Sequence, residues 1–250
     1  MRASARQFSG LAGDYARFRP DYPDALMQSL EDVIEKPLSD VRAVDIGAGT
    51  GRWTRQMAKA GVGSIVAIEP SAGMRDHGVR ITRPWRVDWR NGSGADTGLP
   101  GGIFDLVTWA SSIHCVEIAE GLRESIRLLR PGGCLAILSK GRTSSSEGRR
   151  RPDNRTSRGR RLCEAEIIVD AVAGSFPDCE ITTFLLEETH HFTSRQAVGY
   201  LRSLAHLRKG TGAPALRQAL AEVSAMHGQR IAWTFVTWAV IVQDQQALMP

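Results

Sequence analysis

The stretch VRAVDIGAGTGRWTRQMAKAG, Val41 to Gly61, places an apolar run, one acid and three glycines directly before a helical pattern. The apolar residues around Asp45 predict a buried strand, and Gly47, Gly49 and Gly51 follow at alternate positions. Glycine allows a tight backbone turn and lets a ligand approach without a Cβ in the way. The stretch therefore predicts a strand, a nucleotide-binding turn and a helix, as in α/β folds.

The turn that carries Gly47, Gly49 and Gly51 is here called the glycine corner. The spacing of its glycines distinguishes between two possible ligands. A dinucleotide fold uses G-x-G-x-x-G, whereas the glycines here form G-x-G-x-G, with Arg52 where the third glycine would stand. A pyrophosphate needs free N–H groups and no nearby carboxylate. Asp45 lies two residues before the first glycine, which suits a cationic amino-acid ligand better. An NAD-dependent oxidoreductase is therefore disfavoured.

A second acid follows the next apolar run. The segment SIVAIEPSAGM ends its apolar part at Glu69, twenty residues beyond Gly49. A carboxylate at this point can accept hydrogen bonds from both hydroxyls of a ribose. The alternative is a surface acid at the end of a strand, and the glycine corner favours the ribose.

Short apolar runs alternate with helical patterns over the first 140 residues, which predicts a mainly parallel sheet covered on both faces. The strand candidates in this part are 41–46, 64–69, about 85–88, 103–109 and 133–139, and the helices are about 52–60, 71–80 and 117–130. Beyond them the patterns predict a helix at about 161–173, a strand at about 179–187, helices at about 194–207 and 213–226, and an apolar run at 231–242. The last run follows a return of the chain, so it could enter the sheet antiparallel.

The net charge of +5 comes from one segment. Residues 141–161 hold eight arginines against Glu147 and Asp153, a net of +6, which leaves −1 for the rest of the 250-residue chain. Such a Ser/Gly/Arg-rich stretch cannot bury enough apolar surface to fold alone, so a flexible surface loop is expected. A patch for an anionic ligand is the alternative. No aromatic residue interleaves the arginines, so nucleic acid is not expected as a partner.

The sequence has no apolar run long enough for a membrane span and no secretory signal pattern at its start. Its four cysteines are too far apart to suggest zinc or a disulfide framework. We therefore expect a cytoplasmic protein with buried, reduced thiols.

Five segments in order, VDIGAGTG, AIEP, GADTGLP, FDLVTWA and LRPGG, resemble the class I S-adenosylmethionine-dependent methyltransferases. The N-terminal YARFRPDYP is similar to the small-molecule group that includes trans-aconitate methyltransferase. The resemblance covers about residues 10–140 and implies a Rossmann-like sheet of seven strands, in the order 3-2-1-4-5-7-6 with the last strand antiparallel. It implies a single domain over 1–250, with an N-terminal lid over 1–35, the Arg-rich loop at 141–161 and a helical cap over 190–228.

The resemblance also implies which residues bind S-adenosylmethionine. Asp45 would meet the ammonium group of its methionine part, Glu69 the ribose, and Ala95 and Asp96 the adenine. Ser111 would face the sulfonium, and Met74 and Trp89 could pack on the adenine or belong to the core. The implied cofactor-binding set is Asp45, Gly47, Ala48, Gly49, Glu69, Met74, Ala95, Asp96 and Ser111.

The acceptor side has fewer signals. His114, after the fourth strand, matches a histidine common in the family and is the candidate general base or substrate donor. Tyr15 and Arg19 match the lid signature, and Arg19 could clamp an acceptor carboxylate. In each case the alternative is a structural role. Metal-dependent relatives carry a carboxylate where Thr108 stands, so no metal is expected.

These observations together predict methyl transfer to an O or N atom of a small metabolite, for which an anionic acceptor is a candidate. An RNA or protein methyltransferase that uses the Arg-rich loop is one rival, and a fold relative that binds the cofactor without methylating is another.

Overall fold

The computed structural model describes residues 12–143, 157–175, 179–204 and 212–244. Seven strands alternate with helices along these residues. The strands are β1 Arg42–Ile46, β2 Ser64–Ile68, β3 Val87–Arg90, β4 Phe104–Ala110, β5 Leu129–Arg142, β6 Cys179–Thr193 and β7 Arg230–Asp244. The α-helices are α1 Ala12–Phe18, α2 Asp24–Ile34, α3 Arg52–Ala60, α4 Ala72–Thr82, α5 Ile118–Leu128, α6 Ser157–Ser175, α7 Ser194–Arg202 and α8 Gly212–Ala225, with short 3-10 helices at Leu38–Asp40 and Ile113–Cys115.

The strands form one sheet in the order β3-β2-β1-β4-β5-β7-β6. β1 to β5 run parallel to one another, and β7 runs antiparallel to both β5 and β6. The predicted strand order and the antiparallel last strand are confirmed. From β1 the chain continues to β2 and β3 on one side and to β4 and β5 on the other, so the order reverses between β1 and β4. Open α/β sheets bind ligands at such a point, beside the carboxyl ends of the strands.

Apolar side chains cover both faces of the sheet. One core cluster joins Leu26 and Leu30 of α2 and Trp53 of α3 to one face of the sheet. A second joins Trp109 of β4 to α5 and α6 on the other face. Buried parallel strands read as continuous apolar runs for this reason, and residues 134–138 of β5 are all buried apolar side chains.

A third cluster lies beyond the parallel strands. Phe192, Tyr200, Trp233 and Phe235 pack together there at the far ends of β6 and β7. The helix α1 lies against α7, where Phe18 occupies the space that a side chain at Gly199 would need. The N-terminal segment and α7 therefore cover the same end of the sheet.

Three expectations about segment boundaries were wrong. Gly141 and Arg142 belong to β5, because its antiparallel pairing with β7 continues to Arg142 opposite Phe235. Residues 157–161 belong to α6, and 144–156 of the predicted Arg-rich loop lie outside the described residues. Residues 190–193, predicted as cap, still belong to β6, since pairing with β7 persists to Thr193 opposite Arg230.

The prediction of buried thiols holds for Cys134 but not for Cys115, which is exposed on the loop after β4. No helix among the residues that the structure describes has the length and apolar content to cross a membrane.

Candidate functional site

The three glycines after β1 all have left-handed backbone angles, with φ of +69° at Gly47, +60° at Gly49 and +80° at Gly51. A Cβ at Gly47 would lie 2.6 Å from the Cβ of Ser112, and one at Gly51 would lie 2.9 Å from the Trp89 ring. A Cβ at Gly49 would meet only the Gly47 carbonyl, at 3.9 Å. The first and third glycines thus let the protein pack closely, while the backbone at Gly49 faces open space.

Asp45 is placed beneath this turn. Its side chain is fully buried, and its two carboxylate oxygens accept hydrogen bonds from Thr54 Oγ1 at 2.6 Å and Thr108 Oγ1 at 3.0 Å. Burial raises the pKa of Asp45 to about 6, although the two hydroxyls oppose the shift. In this arrangement Asp45 ties β1 to α3 and β4. The contact with a ligand ammonium stays a prediction, and it would require the carboxylate to gain access to the turn.

Glu69 lies at the carboxyl end of β2 and faces the same turn. Its Oε2 accepts from the backbone nitrogen of Gly49 at 2.9 Å, and its Oε1 accepts from that of Ser71 at 2.8 Å. Burial raises the pKa of Glu69, and the two backbone bonds oppose that shift. A carboxylate has about four acceptor positions. Two therefore stay available for the hydroxyls of a ribose.

Other residues of the corner do not by themselves identify a ligand. Thr50 Oγ1 is buried and has no hydrogen-bond partner among the described residues. Four other buried side-chain atoms among the described residues share this state, so it does not by itself identify a ligand position. Met74 is buried on α4, which fits a core residue as well as one that packs on a ligand ring. Trp89 instead packs against Gly51 and Gly78 and donates to Thr82, so the structure gives it a place in the core.

The predicted adenine loop follows β3. Ala95 is half-buried and Asp96 is exposed, with its Oδ1 accepting from the backbone of Gly98 at 3.2 Å. The loop is anchored one residue later, where Thr97 donates from both its backbone nitrogen and its hydroxyl to Glu124 of α5. Burial alone would raise the pKa of Glu124, but the hydrogen bonds from Arg127 and Thr97 together have the larger effect, so this pKa is lowered. Asp96 is thus an exposed residue on an anchored loop, and its contact with an adenine stays a prediction.

Ser111 ends β4 with a φ of +57°, which is uncommon for a residue other than glycine. Its backbone nitrogen donates to Leu138 at 2.7 Å, and its hydroxyl lies 2.8 Å from that of Tyr22. Such backbone strain persists only where neighbours enforce it and clusters at functional sites. His114 is exposed in the 3-10 helix three residues further on.

Tyr15 and Arg19 belong to the covering segment. The Arg19 guanidinium lies 5.0 Å from the ring centre of Tyr15 and 5.1 Å from that of Tyr200. Its Nε donates to Ser203 Oγ at 2.9 Å. The structure therefore joins α1 to α7 through Arg19.

Arg52 joins the same segment to the glycine corner. It donates to the Asp21 carboxylate at 2.7 Å and to the backbone carbonyls of Tyr15 and Ala16. Arg55 also pairs with Asp21, at 2.6 Å. Arg52, which replaces the third glycine of a dinucleotide motif, thus fastens the N-terminal segment over the turn.

The sequence analysis missed Lys140, which lies at the centre of a group of polar residues beside Ser111. Lys140 of β5 is buried, and its ammonium group donates to the Asp21 carbonyl and to Glu188 Oε2 at 2.7 Å, and lies 3.3 Å from His190 Nε2. The signal was a lysine that directly extends the apolar run CLAILS. Two of the partners of Lys140, Glu188 and His190, lie 48 and 50 residues later in the chain. No local sequence pattern links these residues to the lysine.

A separate cavity of about 700 Å³ lies between α1 and α7, lined by Arg17, Phe18, Val198, Arg202 and His227 among others. It shares no residue with the glycine corner. The chemistry of the corner, rather than the volume of this cavity, identifies the candidate site.

Comparison with known proteins concerns the class of domain that surrounds this corner. Residues 44–137 match a family model described as a methyltransferase domain. A Dictyostelium discoideum protein named as a methyltransferase is 33% identical over 137 residues, which cover 54% of this chain and 49% of that protein. An uncharacterized methyltransferase of Mycobacterium tuberculosis is 32% identical over 137 residues, covering 55% and 53%. The chain spans about half the length of the curated relatives it matches.

Solved structures share the fold over most of the chain. A type II methyltransferase structure from Anaeromyxobacter dehalogenans has a TM-score of 0.59 at 22% identity and covers 90% of this chain and 97% of that one. The [4+2]-cyclase SpnF has a TM-score of 0.53 at 21% identity, covering 90% and 84%. Residues 44–137, from β1 to β5, are therefore similar to a methyltransferase domain, and the chain shares the Rossmann-like fold of these solved structures.

Proposed function

We propose that this protein is a methyltransferase that binds S-adenosylmethionine at the glycine corner and methylates an O or N atom of a small metabolite. The observation that carries the proposal is Glu69, which is held by two backbone N–H groups at the end of β2 and keeps two acceptor positions for a ribose. The glycine spacing supports the same ligand.

The residues that would hold the cofactor lie on three neighbouring strand ends. Gly47, Ala48 and Gly49 would surround its methionine part, and Glu69 would take the ribose. Asp96 and the backbone of Ala95 would address the adenine, with Met74 below it. Asp45 would act through the turn that it supports. When bound, the cofactor supplies an electrophilic methyl group.

On the acceptor side, the chain's own residues would align the acceptor and exclude water, which is most of what an in-line transfer requires. Ser111 and Tyr22 border the place where β4 ends. His114 is the proposed base for an acceptor that still carries its proton. We propose that the chain acts as one catalytic unit, in which 1–35 form a lid and the helices beyond β6 form a cap.

A small acceptor is favoured because α1, fastened by Arg52 and Arg19, and α7 cover this end of the sheet. The similarity of YARFRPDYP to the trans-aconitate methyltransferase group supports an anionic acceptor. The rival, an RNA or protein acceptor, rests on the Arg-rich segment. Binding of RNA with a steep salt dependence would favour that rival.

The direct test is incubation of the protein with S-adenosylmethionine labelled in its methyl group and an extract of the native host. Transfer of label to a small metabolite, identified by mass spectrometry, is the expected result. Label in RNA or protein would overturn the acceptor class. Tight binding of S-adenosylhomocysteine without transfer to any component would indicate a fold relative that does not methylate.

A further inference from the structure

Beyond the parallel strands, β5, β6 and β7 continue as an antiparallel wall. Lys140 lies two residues before Arg142, which pairs with Phe235, and Phe235 also pairs with Glu188. His190 pairs with Trp233. Because side chains two residues apart share a face of a strand, Lys140, Glu188, His190, Trp233 and Phe235 occupy one face, which we term the wall face.

Lys140 is the buried charge of the wall face. Only 6% of its side chain is exposed. Taking an ammonium group out of water is unfavourable unless its protons are hydrogen-bonded. Its three protons find three acceptors, namely the Asp21 carbonyl, Glu188 Oε2 and His190 Nε2. The lysine is therefore fully satisfied by this arrangement.

The contact with Lys140 decides where His190 carries its proton. An ammonium group donates and never accepts, so a hydrogen bond from Lys140 to Nε2 of His190 places the ring proton on Nδ1. Glu188 Oε2 lies 3.5 Å from the same Nε2 but only 2.7 Å from Lys140 Nζ, so its stronger bond is to the lysine. Burial and the charge of Lys140 lower the pKa of His190, while the charge of Glu188, its hydrogen bond with the imidazole and the charge of Asp21 raise that pKa less. Neutral His190 thus presents an N–H donor.

A chain of contacts connects His190 to the end of β4. The hydroxyls of Ser111 and Tyr22 are 2.8 Å apart, and Asp21, directly before Tyr22, accepts from Lys140 through its carbonyl. The backbone nitrogen of Lys140 also donates to Ser111 Oγ, at 3.4 Å. Lys140 therefore connects His190 to Ser111, because its side chain contacts the imidazole and its backbone nitrogen contacts the serine hydroxyl. Ser111 is the residue expected beside the reacting atoms.

The surroundings of His190 are aromatic. Its ring centre is 5.3 Å from that of Phe235, edge to face, and 6.5 Å from that of Phe192. About a third of its side chain, 32%, is exposed. With Nε2 engaged by Lys140, Nδ1–H is the donor that His190 can offer a ligand, on the same face as the Arg142 guanidinium, which lies 4.4 Å from the Trp233 ring centre.

We propose that His190 is a specificity-determining residue, which donates a hydrogen bond from Nδ1 to an oxygen of the methyl acceptor, and that Lys140 holds the imidazole in this tautomer. This proposal rests on the proposed function. It names the acceptor class as a molecule with a hydrogen-bond-accepting oxygen beside an apolar or planar group that can pack on the wall face. His190 is not a base here, because both of its nitrogens are already committed.

The tautomer can be measured without cofactor or acceptor. The NMR signals of the His190 imidazole can be assigned because they disappear in the His190→Gln variant. Long-range proton–nitrogen spectra of the wild-type protein should then show a protonated Nδ1 and an unprotonated Nε2 above neutral pH. In Lys140→Met the proton should move toward Nε2. A protonated Nε2 in the wild-type protein would overturn the proposal.

Kinetics with the acceptor found by labelling provide the second test. His190→Phe keeps a ring and loses the donor, so the acceptor's KM should rise about tenfold or more with cofactor affinity unchanged. His190→Gln can still accept from Lys140 and donate with its amide, so its KM should stay within about threefold of the wild-type value. The exposed neighbour supplies the control, since His191→Gln should change neither constant.

The outcomes separate the two proposals. If His190→Gln loses kcat as severely as His190→Phe, His190 acts as a base and the donor role is wrong. If His190→Phe, His190→Gln and His191→Gln all have the KM and kcat of the wild type, the wall face does not bind the acceptor. If the wild-type protein transfers no methyl group, the proposed function fails and this role fails with it.

Discussion

The Oε2 atom of Glu69 lies 2.9 Å from the backbone nitrogen of Gly49, and this contact joins the ends of β1 and β2. The acid at the end of one strand thereby holds the middle glycine of the neighbouring turn. The same carboxylate can shape the turn and receive a ribose, because each oxygen uses one acceptor position on the backbone.

Replacement of Glu69 by alanine should weaken cofactor binding. Loss of charge-assisted hydrogen bonds should cost about 1.5–3 kcal/mol, which calorimetry with S-adenosylhomocysteine would measure. Asp76→Ala is the matched control, since it removes an exposed carboxylate from the nearby helix α4. Unchanged affinity in a folded Glu69→Ala protein would refute the ribose assignment.

Replacement of His114 by alanine tests the proposed base. Turnover should fall by roughly 100-fold at saturating acceptor, while affinity for S-adenosylhomocysteine stays the same. The comparison with His190→Gln, which should keep its turnover, assigns the base to one of the two histidines. Equal turnover of His114→Ala and wild type would leave His114 with a structural role.

The buried carboxyl of Asp45 predicts a specific dependence of stability on pH. Its pKa is raised from 3.8 to about 6, so between these values the folded protein binds more protons at this site than the unfolded chain. The contribution of Asp45 to stability therefore decreases as pH rises through this range, by up to about 3 kcal/mol.

Asp45→Asn removes this titration. The difference in unfolding free energy between variant and wild type, measured by urea denaturation from pH 4 to pH 7, should change in favour of the variant as pH rises. Taking the difference cancels the opposite trend from Asp105 and Glu124, whose pKa values are lowered by their hydrogen bonds. A difference that does not vary with pH would show that Asp45 titrates normally.

Alanine at Gly47 should destabilise the fold for two reasons. Its φ of +69° is unfavourable for a residue with a Cβ, and that Cβ would lie 2.6 Å from Ser112. Together these should cost about 2–4 kcal/mol. Gly98→Ala isolates the first effect, because Gly98 has nearly the same φ, +68°, with nothing within 4 Å, and should cost about 1 kcal/mol. Equal losses in thermal or urea unfolding would mean that the turn relaxes around the new side chain.

The Arg-rich segment has its own test. If Arg149, Arg150 and Arg151 form a lid for an anionic acceptor, their replacement by serine should raise the acceptor's KM, and the defect should shrink as salt rises, because exposed charges are screened over about 8 Å at physiological ionic strength. We expect instead no kinetic change, since serine and glycine dilute the charge. A salt-sensitive defect would contradict that expectation. These arginines lie outside the described residues.

The sequence alone determined the glycine corner and the strands and helix around it. Glycines at alternate positions after a buried apolar run, and an acid twenty residues later, are signals that lie close together in the chain. Turn chemistry and hydrophobic periodicity act over a few residues, so they predicted β1, α3 and β2 nearly to the residue. The family resemblance supplied the strand order, which the structure confirms.

Only the tertiary structure brought together the residues of the wall face. The contacts of Lys140 with Glu188 and His190 join residues 48 and 50 positions apart. They depend on the register in which β7 pairs with both β5 and β6, and a shift by one residue would turn each side chain to the opposite face. Asp45 shows the same limit, because its place beneath the turn depends on Thr54 and Thr108 from two other elements. Cross-strand neighbours and burial are set by pairing and packing, and no local pattern in the chain encodes them.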